Sequence, residues 1–473
     1  MKKKKNKILS GILLFCLLLT CTACEEQKEP VHISVWNYYN GAQLIAFNNL
    51  VDEFNTTVGR EKNIVVESSS IGNINDLTNA IYDAADEKIG AQELPDIFAA
   101  YASTAAVLNQ KGLVADLASY LTKKEKDAYI ESYLQEGDLN GNGSLFIFPV
   151  AKSTEILLLN ETDWLPFAEA TGAAYDDLTT FEGITATAEK YYNWTDSLTE
   201  KAYDGKAFFG RDAMANYFYL GCAQLGNELI QRQGSELIVC LDEQIMQKLW
   251  DNYYVPMVKG YFDATGAFRS DGVKTGNLLM YLGSSSSASF FPKEVISDDN
   301  SSYSIKVKAL PCPHFVGGEN YAIQQGAGMA VINKTEKQVE AAVTFLKWFT
   351  EQENNIQFSV ASGYLPVMKE ANDTATICEI HGAVDETMQE ILTASIDTVN
   401  KNTMYTALTM EQSENIRKIL ENTLSEKAKE DRIVVVQNLQ AGMSLEKAAE
   451  EFLTQEYFQE WYQGLLAEIE AII

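Results

Sequence analysis

The sequence predicts a mixed α/β chain in two lobes, on three observations: its length, an alternation of short strand patterns with helical ones, and an apolar crossover midway. At 473 residues the chain exceeds the size at which one hydrophobic core usually divides. Its 46% hydrophobic and 22% charged content is ordinary for a folded protein.

Residues 1–23 read as an export signal. "MKKKKNK" is a basic start and "ILSGILLFCLLLTC" an apolar stretch too short for a comfortable membrane span. Ala23 is a small residue directly before Cys24, which resembles the lipobox of bacterial lipoproteins, with Cys21 standing where Leu is usual. An acylated Cys24 would anchor the chain through the tether 24–30, leaving the rest in water.

After the tether, Val31, Ile33 and Val35 alternate as in a half-buried strand. Leu44, Phe47, Val51, Phe54 and Val58 then recur at helical spacing. "NIVVESSS" is a second strand, "INDLTNAIYDAADEKIG" a helix ending at Gly90, "LPDIFAAYA" a third strand and "STAAVLNQKG" a helix stopped by Gly112. Ligands of such sheets bind beyond the carboxyl ends of the strands, which places "WNYYNG" and "AAYAST" on the binding edge. In "SLFIFPVAKSTEILLLN" two apolar runs flank a polar interruption, as in a chain leaving one lobe for another. Thr335 and Gln338 form a capping box ahead of the stripe Val339, Val343, Leu346 and Phe349. The last hundred residues read as helical, with Ser444 as an N-cap before Leu445, Ala448 and Phe452.

Charge and rare residues exclude several classes. The formal charge is −29, and loss of the five leader lysines brings it to −34, so the surface repels nucleic acid and anionic lipid. Beyond Cys24 the cysteines are Cys222, Cys240, Cys312 and Cys378, without metal-site spacing, and the three histidines are scattered. Neither a metal nor a cofactor is expected, and the four cysteines read as mostly buried thiols. No GxSxG, HExxH or P-loop motif occurs. With 66 acids in the chain, paired carboxylates are unavoidable and make a weak case for the rival reading, a secreted glycosidase.

In order, "ISVWNYYNG", "LPDIF", "FPVAKSTEILLLN", "LLMYLGSSSSASFF", "LPCPHF", "QGAGMAVINKTEKQVEAAVTFLKWFT" and "ASGYLPV" resemble the bacterial extracellular solute-binding proteins of the sugar-binding family that includes maltose-binding protein. The resemblance implies a periplasmic-binding-protein-like fold of type II, with two lobes joined by crossover strands and a ligand cleft between them. It further implies one lobe from 31–150 plus 312–356, the other from 151–311 plus 357–473, and a monomer serving a membrane permease of an ABC importer. The cargo would be a sugar; a polyamine, metal ion, phosphorylated compound or peptide, and a sensing role, remain open beside it.

Sugars present apolar faces edged with hydroxyls, so their sites combine aromatic platforms with a few polar groups. "WNYYN" offers Trp36, Asn37 and Tyr38; strand alternation puts Trp36 and Tyr38 on one side and sends Tyr39 elsewhere. Tyr101 and Ser103 match a family loop that touches ligand, although that loop lacks the charged pair and Trp of maltose-binding protein. Glu155 in the crossover can accept sugar hydroxyls or pair with Lys152 or Arg211. Arg211 itself lies where the family closes its cleft, or forms a structural pair with Asp212. Ser284 and Ser285 stand at a family ligand-contacting helix start, and Tyr364 is a lid or a loop anchor.

Overall fold

The computed structural model describes residues 29–473 except 235, 267, 298, 299, 383 and 411. The leader and Cys24, with the lipid anchor expected there, lie outside the described residues. The first elements follow the predicted order: β1 (Val31–Asn37), α1 (Gly41–Thr56), β2 (Ile64–Ser70), α2 (Ile74–Ala85), β3 (Ile97–Ala100) and α3 (Ala102–Gln110). The helix expected to run to Gly90 ends five residues earlier, and Glu87 turns the chain at a φ of 51°. Next come β4 (Glu155–Asn160), β5 (Ala207–Arg211), α4 (Met214–Gln224), α5 (Glu243–Lys259), β6 (Leu278–Ser284) and β7 (Val307–Leu310). The remainder that matters here is β8 (Tyr321–Ile323), β9 (Gly328–Val331), α6 (Glu336–Phe349), α7 (Gln352–Ser362), α8 (Glu386–Lys401), β10 (Thr403–Tyr405), α9 (Ser413–Gln440) and α10 (Gln455–Glu470).

Two four-stranded sheets organise two lobes. The first has the order β9-β3-β1-β2, with β1 parallel to β2 and β3 and β9 antiparallel to β3. The second has the order β7-β4-β6-β5, with β4 antiparallel to both neighbours and β5 parallel to β6. A short parallel pair, β8 with β10, lies apart from both.

Each sheet sits in its own apolar core. The first gathers Ile33 and Val35 of β1 with an aromatic cluster in which the Phe349 ring lies 5.4 Å from Phe47 and 5.2 Å from Phe358. The Thr335–Gln338 capping box forms as expected, and it starts α6 with Val339, Val343, Leu346 and Phe349 all buried. The second core is built on α5, where Trp250 stacks 3.5 Å from Tyr254 and meets Trp461 of α10 at 5.1 Å. The tail is helical, and Ser444 caps its short helix by accepting from the Lys447 N–H. All four described cysteines are free thiols; Cys222 and Cys312 are buried, Cys240 and Cys378 half-buried.

The chain passes between the cores three times, at places the sequence locates unevenly. The first passage comes between Ala151, in the first core, and β4. The return comes later than residue 312, because Cys312 and Phe315 stay in the second core and Ala327 is the first residue of a continuous return. The third passage is not at 357. Phe358, Tyr364, Leu365 and Val367 still pack in the first core, and α8 straddles, with Leu392 in the first core and Ile391 in a smaller cluster on the second sheet. No helix among the described residues is long and apolar enough to cross a membrane.

Candidate functional site

Between the lobes lies a cavity of ≈ 510 Å³. Tyr38, Tyr101, Ser103, Ser284 and Tyr364, all expected from the sequence, line it together. The geometry that presents Tyr38 begins at Asn37, which is fully buried at the end of β1. Its Nδ2 donates to Ser68 Oγ at 3.0 Å and its Oδ1 accepts from the Tyr39 N–H at 3.0 Å. That tight local turn ends the strand and releases Tyr38 towards the cleft, while Tyr39 enters the core 5.2 Å from Phe47. The Tyr38 and Tyr364 hydroxyls share a hydrogen bond of 3.1 Å, and burial together with their mutual repulsion as phenolates raises the Tyr38 pKa well above its ordinary value.

Five expected residues do not line the cavity. Trp36 is only 6% exposed and packs in the first core, because β1 is central in its sheet and covered on both faces, so alternation does not bring it alongside Tyr38. Asn37 is spent on the turn just described. Glu155 is buried; its Oε2 accepts from Arg211 Nη2 at 2.9 Å and its Oε1 from Asn216 Nδ2 at 2.9 Å. Arg211 is correspondingly buried, with its guanidinium 5.0 Å above the Tyr217 ring. Burial pushes the Glu155 carboxyl up, and Arg211 and Asn216 pull it back. Arg211 donates from Nε to the Asp212 carbonyl oxygen at 3.3 Å but does not ion-pair with its carboxylate, which faces Arg269 at 3.7 Å instead. Ser285 is buried as well: its N–H donates to Thr154 O at 2.8 Å and its hydroxyl accepts from Thr154 N at 3.3 Å. The neighbour Ser286 lines the cavity in its place.

The sequence reading missed most of the remaining wall. Asn75, Thr78 and Tyr82 come from one face of α2, and their spacing of three and four was a readable signal. Tyr219 comes from α4, and Glu414 and Arg417 from the first turns of α9, in a tail read only as helix. Glu136 also lines the cavity, ion-paired with the buried Lys152, which accounts for Lys152 lying in the crossover. Gln324 Nε2 donates to the same Glu136 carboxylate at 3.1 Å.

Helix α9 is fastened to α4 at the cavity edge. Ala213 adopts φ 46°, ψ 69° at the N-cap of α4, and no side chain on α4 caps the helix. Glu421 does so from α9, accepting from the Met214 and Ala215 N–H groups at 2.9 and 3.0 Å. One turn earlier, Arg417 Nη1 donates to Asn216 Oδ1 at 3.1 Å. Asn216 thus joins the buried Glu155–Arg211 pair to the cavity wall. Burial raises the Tyr219 phenol to about 12, with Arg417 opposing the rise.

The arrangement offers tyrosine faces, hydroxyls and amides to a small molecule held between lobes. Its charges occur in both signs: Glu136 beside Lys152, and Glu414 beside Arg417 on one helix face. Among the described residues there is no group of three or more His, Cys, Asp or Glu side chains placed to hold a metal.

A search of curated proteins returned no match. Solved structures of the same fold are numerous. The cyclic α-maltosyl-1,6-maltose binding protein from Arthrobacter globiformis is 16% identical with a TM-score of 0.63, over 92% of this chain and 99% of that one. UgpB from Mycobacterium tuberculosis, solved with glycerophosphocholine, is 17% identical with a TM-score of 0.64, over 93% and 98%. The maltotriose binding protein of Thermus thermophilus, bound with maltotriose, is 15% identical with a TM-score of 0.56, over 92% and 100%. At such identities the likeness is one of fold. Residues 49–380 match the family model described as bacterial extracellular solute-binding protein, and the chain belongs to that family.

Proposed function

We propose that the protein captures a carbohydrate, an oligosaccharide, in the inter-lobe cleft and delivers it to the permease of an ABC importer, as a monomer held to the outer face of the membrane by a lipid on Cys24. The observation that carries this reading is the five tyrosines, Tyr38, Tyr82, Tyr101, Tyr219 and Tyr364, that surround one cavity with hydroxyl and amide side chains between them. Flat phenol rings match the apolar faces of sugar rings, and the polar groups between them match the hydroxyl edges. On the wall Glu136 is neutralised by the buried Lys152 behind it and Glu414 lies one turn from Arg417, which favours a neutral cargo over a cation or a phosphate. Tyr38, Tyr101, Ser103, Ser284 and Tyr364 are the proposed contacts, and the three passages between lobes are the proposed hinge. Cargo is bound and released unchanged.

The test is a thermal-shift screen of the full chain in detergent against sugars, polyamines and metal ions, with product analysis. An oligosaccharide at a hundredfold excess over its dissociation constant stabilises the chain by about 2.7 kcal/mol, and no cleavage products form. A shift by spermidine or ferric iron alone overturns the carbohydrate reading, and released sugar products overturn the reading as a binder.

A further inference from the structure

A second cavity, of ≈ 330 Å³, adjoins the first. It lies between Ser132 and Gln135, on a short helix beside the first core, and a second-lobe surface carrying Glu228, Arg232 and Tyr321. The two cavities share part of their walls: Ala102 and Glu136 on one side, and Thr406 to Thr409 on the other. These shared residues mark a neck. Its far side is a strap of chain whose start is fixed by the pairing of β10 with β8 and by the 2.8 Å bond from Gln324 N to Tyr405 O. Its near side is Ala102, which contributes only a methyl group, and the carboxylate of Glu136.

Side chains at the neck and on the cavity walls beside it carry polar atoms without partners. Gln324 Oε1, Gln325 Oε1, Thr406 Oγ1 and Tyr405 OH are enclosed and make no hydrogen bond. Gln324 is 7% exposed and Tyr405 6% exposed, so water reaches neither freely. Enclosed polar groups in folded proteins are nearly always paired; Gln324 and Gln325 line the first cavity, Tyr405 the second and Thr406 both, so a ligand reaching from one cavity into the other can meet these groups after a small side-chain rotation. The two amide oxygens accept hydrogen bonds, and the two hydroxyls donate or accept. A chain of hydroxyl groups meets all four needs; a cation would leave the hydroxyl protons unmatched.

Resting on the carbohydrate reading above, we propose that the two cavities are one groove and that the cargo is an oligosaccharide longer than the first cavity holds. The chain passes the neck between Ala102 and the Thr406–Thr409 strap, pairs there with Gln324, Gln325, Tyr405 and Thr406, and ends near Glu228 and Arg232. Length is then read by the second cavity, and the identity of the leading rings by the tyrosines of the first.

Calorimetric titration of the full chain in detergent, with linear gluco-oligosaccharides from disaccharide to heptasaccharide in α and β linkages, tests this. Affinity should rise with length by about tenfold or more from the shortest member that binds to the longest. Arg232→Ala, at an exposed position that only the second cavity uses, should lower affinity for the long members several-fold and leave the shortest unchanged. Ala102→Leu, which narrows the neck, should bring the long members down to the level of the shortest. Affinity that is level from the shortest bound member onward, with Arg232→Ala indifferent to length, overturns the groove and leaves the carbohydrate reading standing. Binding of no sugar in the ladder, alongside stabilisation by a polyamine or metal ion, overturns both.

Discussion

Tyr38 and Tyr39 are adjacent in sequence and opposite in fate, and the side chain that separates them is Asn37. Its bond from the Tyr39 N–H is buried and its bond to Ser68 part-buried, so Asn37→Ala strands the Tyr39 N–H and releases the Ser68 hydroxyl. We expect a loss of about 1–3 kcal/mol by chemical denaturation, and weakened cargo binding although Asn37 touches no cargo. The Glu155–Arg211 pair behaves differently, because both charges are removed from water. Glu155→Ala leaves the guanidinium buried without its counter-charge and should cost about 3–5 kcal/mol, whereas Glu155→Leu with Arg211→Met in the same chain should recover much of it, read from denaturation midpoints. In the sequence Glu155 was legible as a residue with two candidate roles. Only the approach of Arg211 and Asn216 from elsewhere in the chain selects the structural one, and no local pattern encodes that.

At the scale of elements, periodicity served well wherever one face of a helix meets a core. α1 buries Phe47, Leu50, Val51 and Phe54, and α6 its whole predicted stripe. The passages between lobes were less legible, since α7 carries apolar residues suited to either core, and it is the packing of Ile356, Val360 and the Phe358 ring against Tyr39, Phe47, Phe349 and Tyr364 that assigns it to the first. Phe358→Ala should therefore destabilise the first lobe by about 3–5 kcal/mol by emptying the centre of that cluster. A polar tie joins elements as well. Glu125, in the capping box with Thr122, accepts from Lys347 of α6 at 2.6 Å. The Lys347 ammonium, aided by the Thr122 cap, holds the Glu125 carboxyl down at about 2, against an ordinary 4.5. A depressed folded pKa means that its stabilisation is complete above pH 4.5 and is lost as pH falls towards 2. Melting temperatures measured across that window should fall less steeply in Glu125→Gln than in the parent.

For the whole molecule, two cores joined by three passages make closure around cargo the natural motion. Small-angle scattering should show a smaller radius of gyration when a bound oligosaccharide is added, and no change with a sugar that does not shift the melting temperature. Part of the cavity wall, from Thr406 to Arg417, lies beyond residue 380, where the family match ends. That wall was the least legible part of the site, because a helical tail on an acidic chain gives no sign of which lobe edge it will reach.

The clasp between Glu421 and the start of α4 also has a consequence for biosynthesis. Met214 and Ala215 leave the ribosome some two hundred residues ahead of the carboxylate that satisfies their N–H groups, the contacts spanning 207 and 206 positions. Until the final stretch of chain is made, the second lobe lacks the cap on that helix end and the Trp461 cover over Trp250. The last-made helices, α9 and α10, are thus the fastening that completes the second lobe.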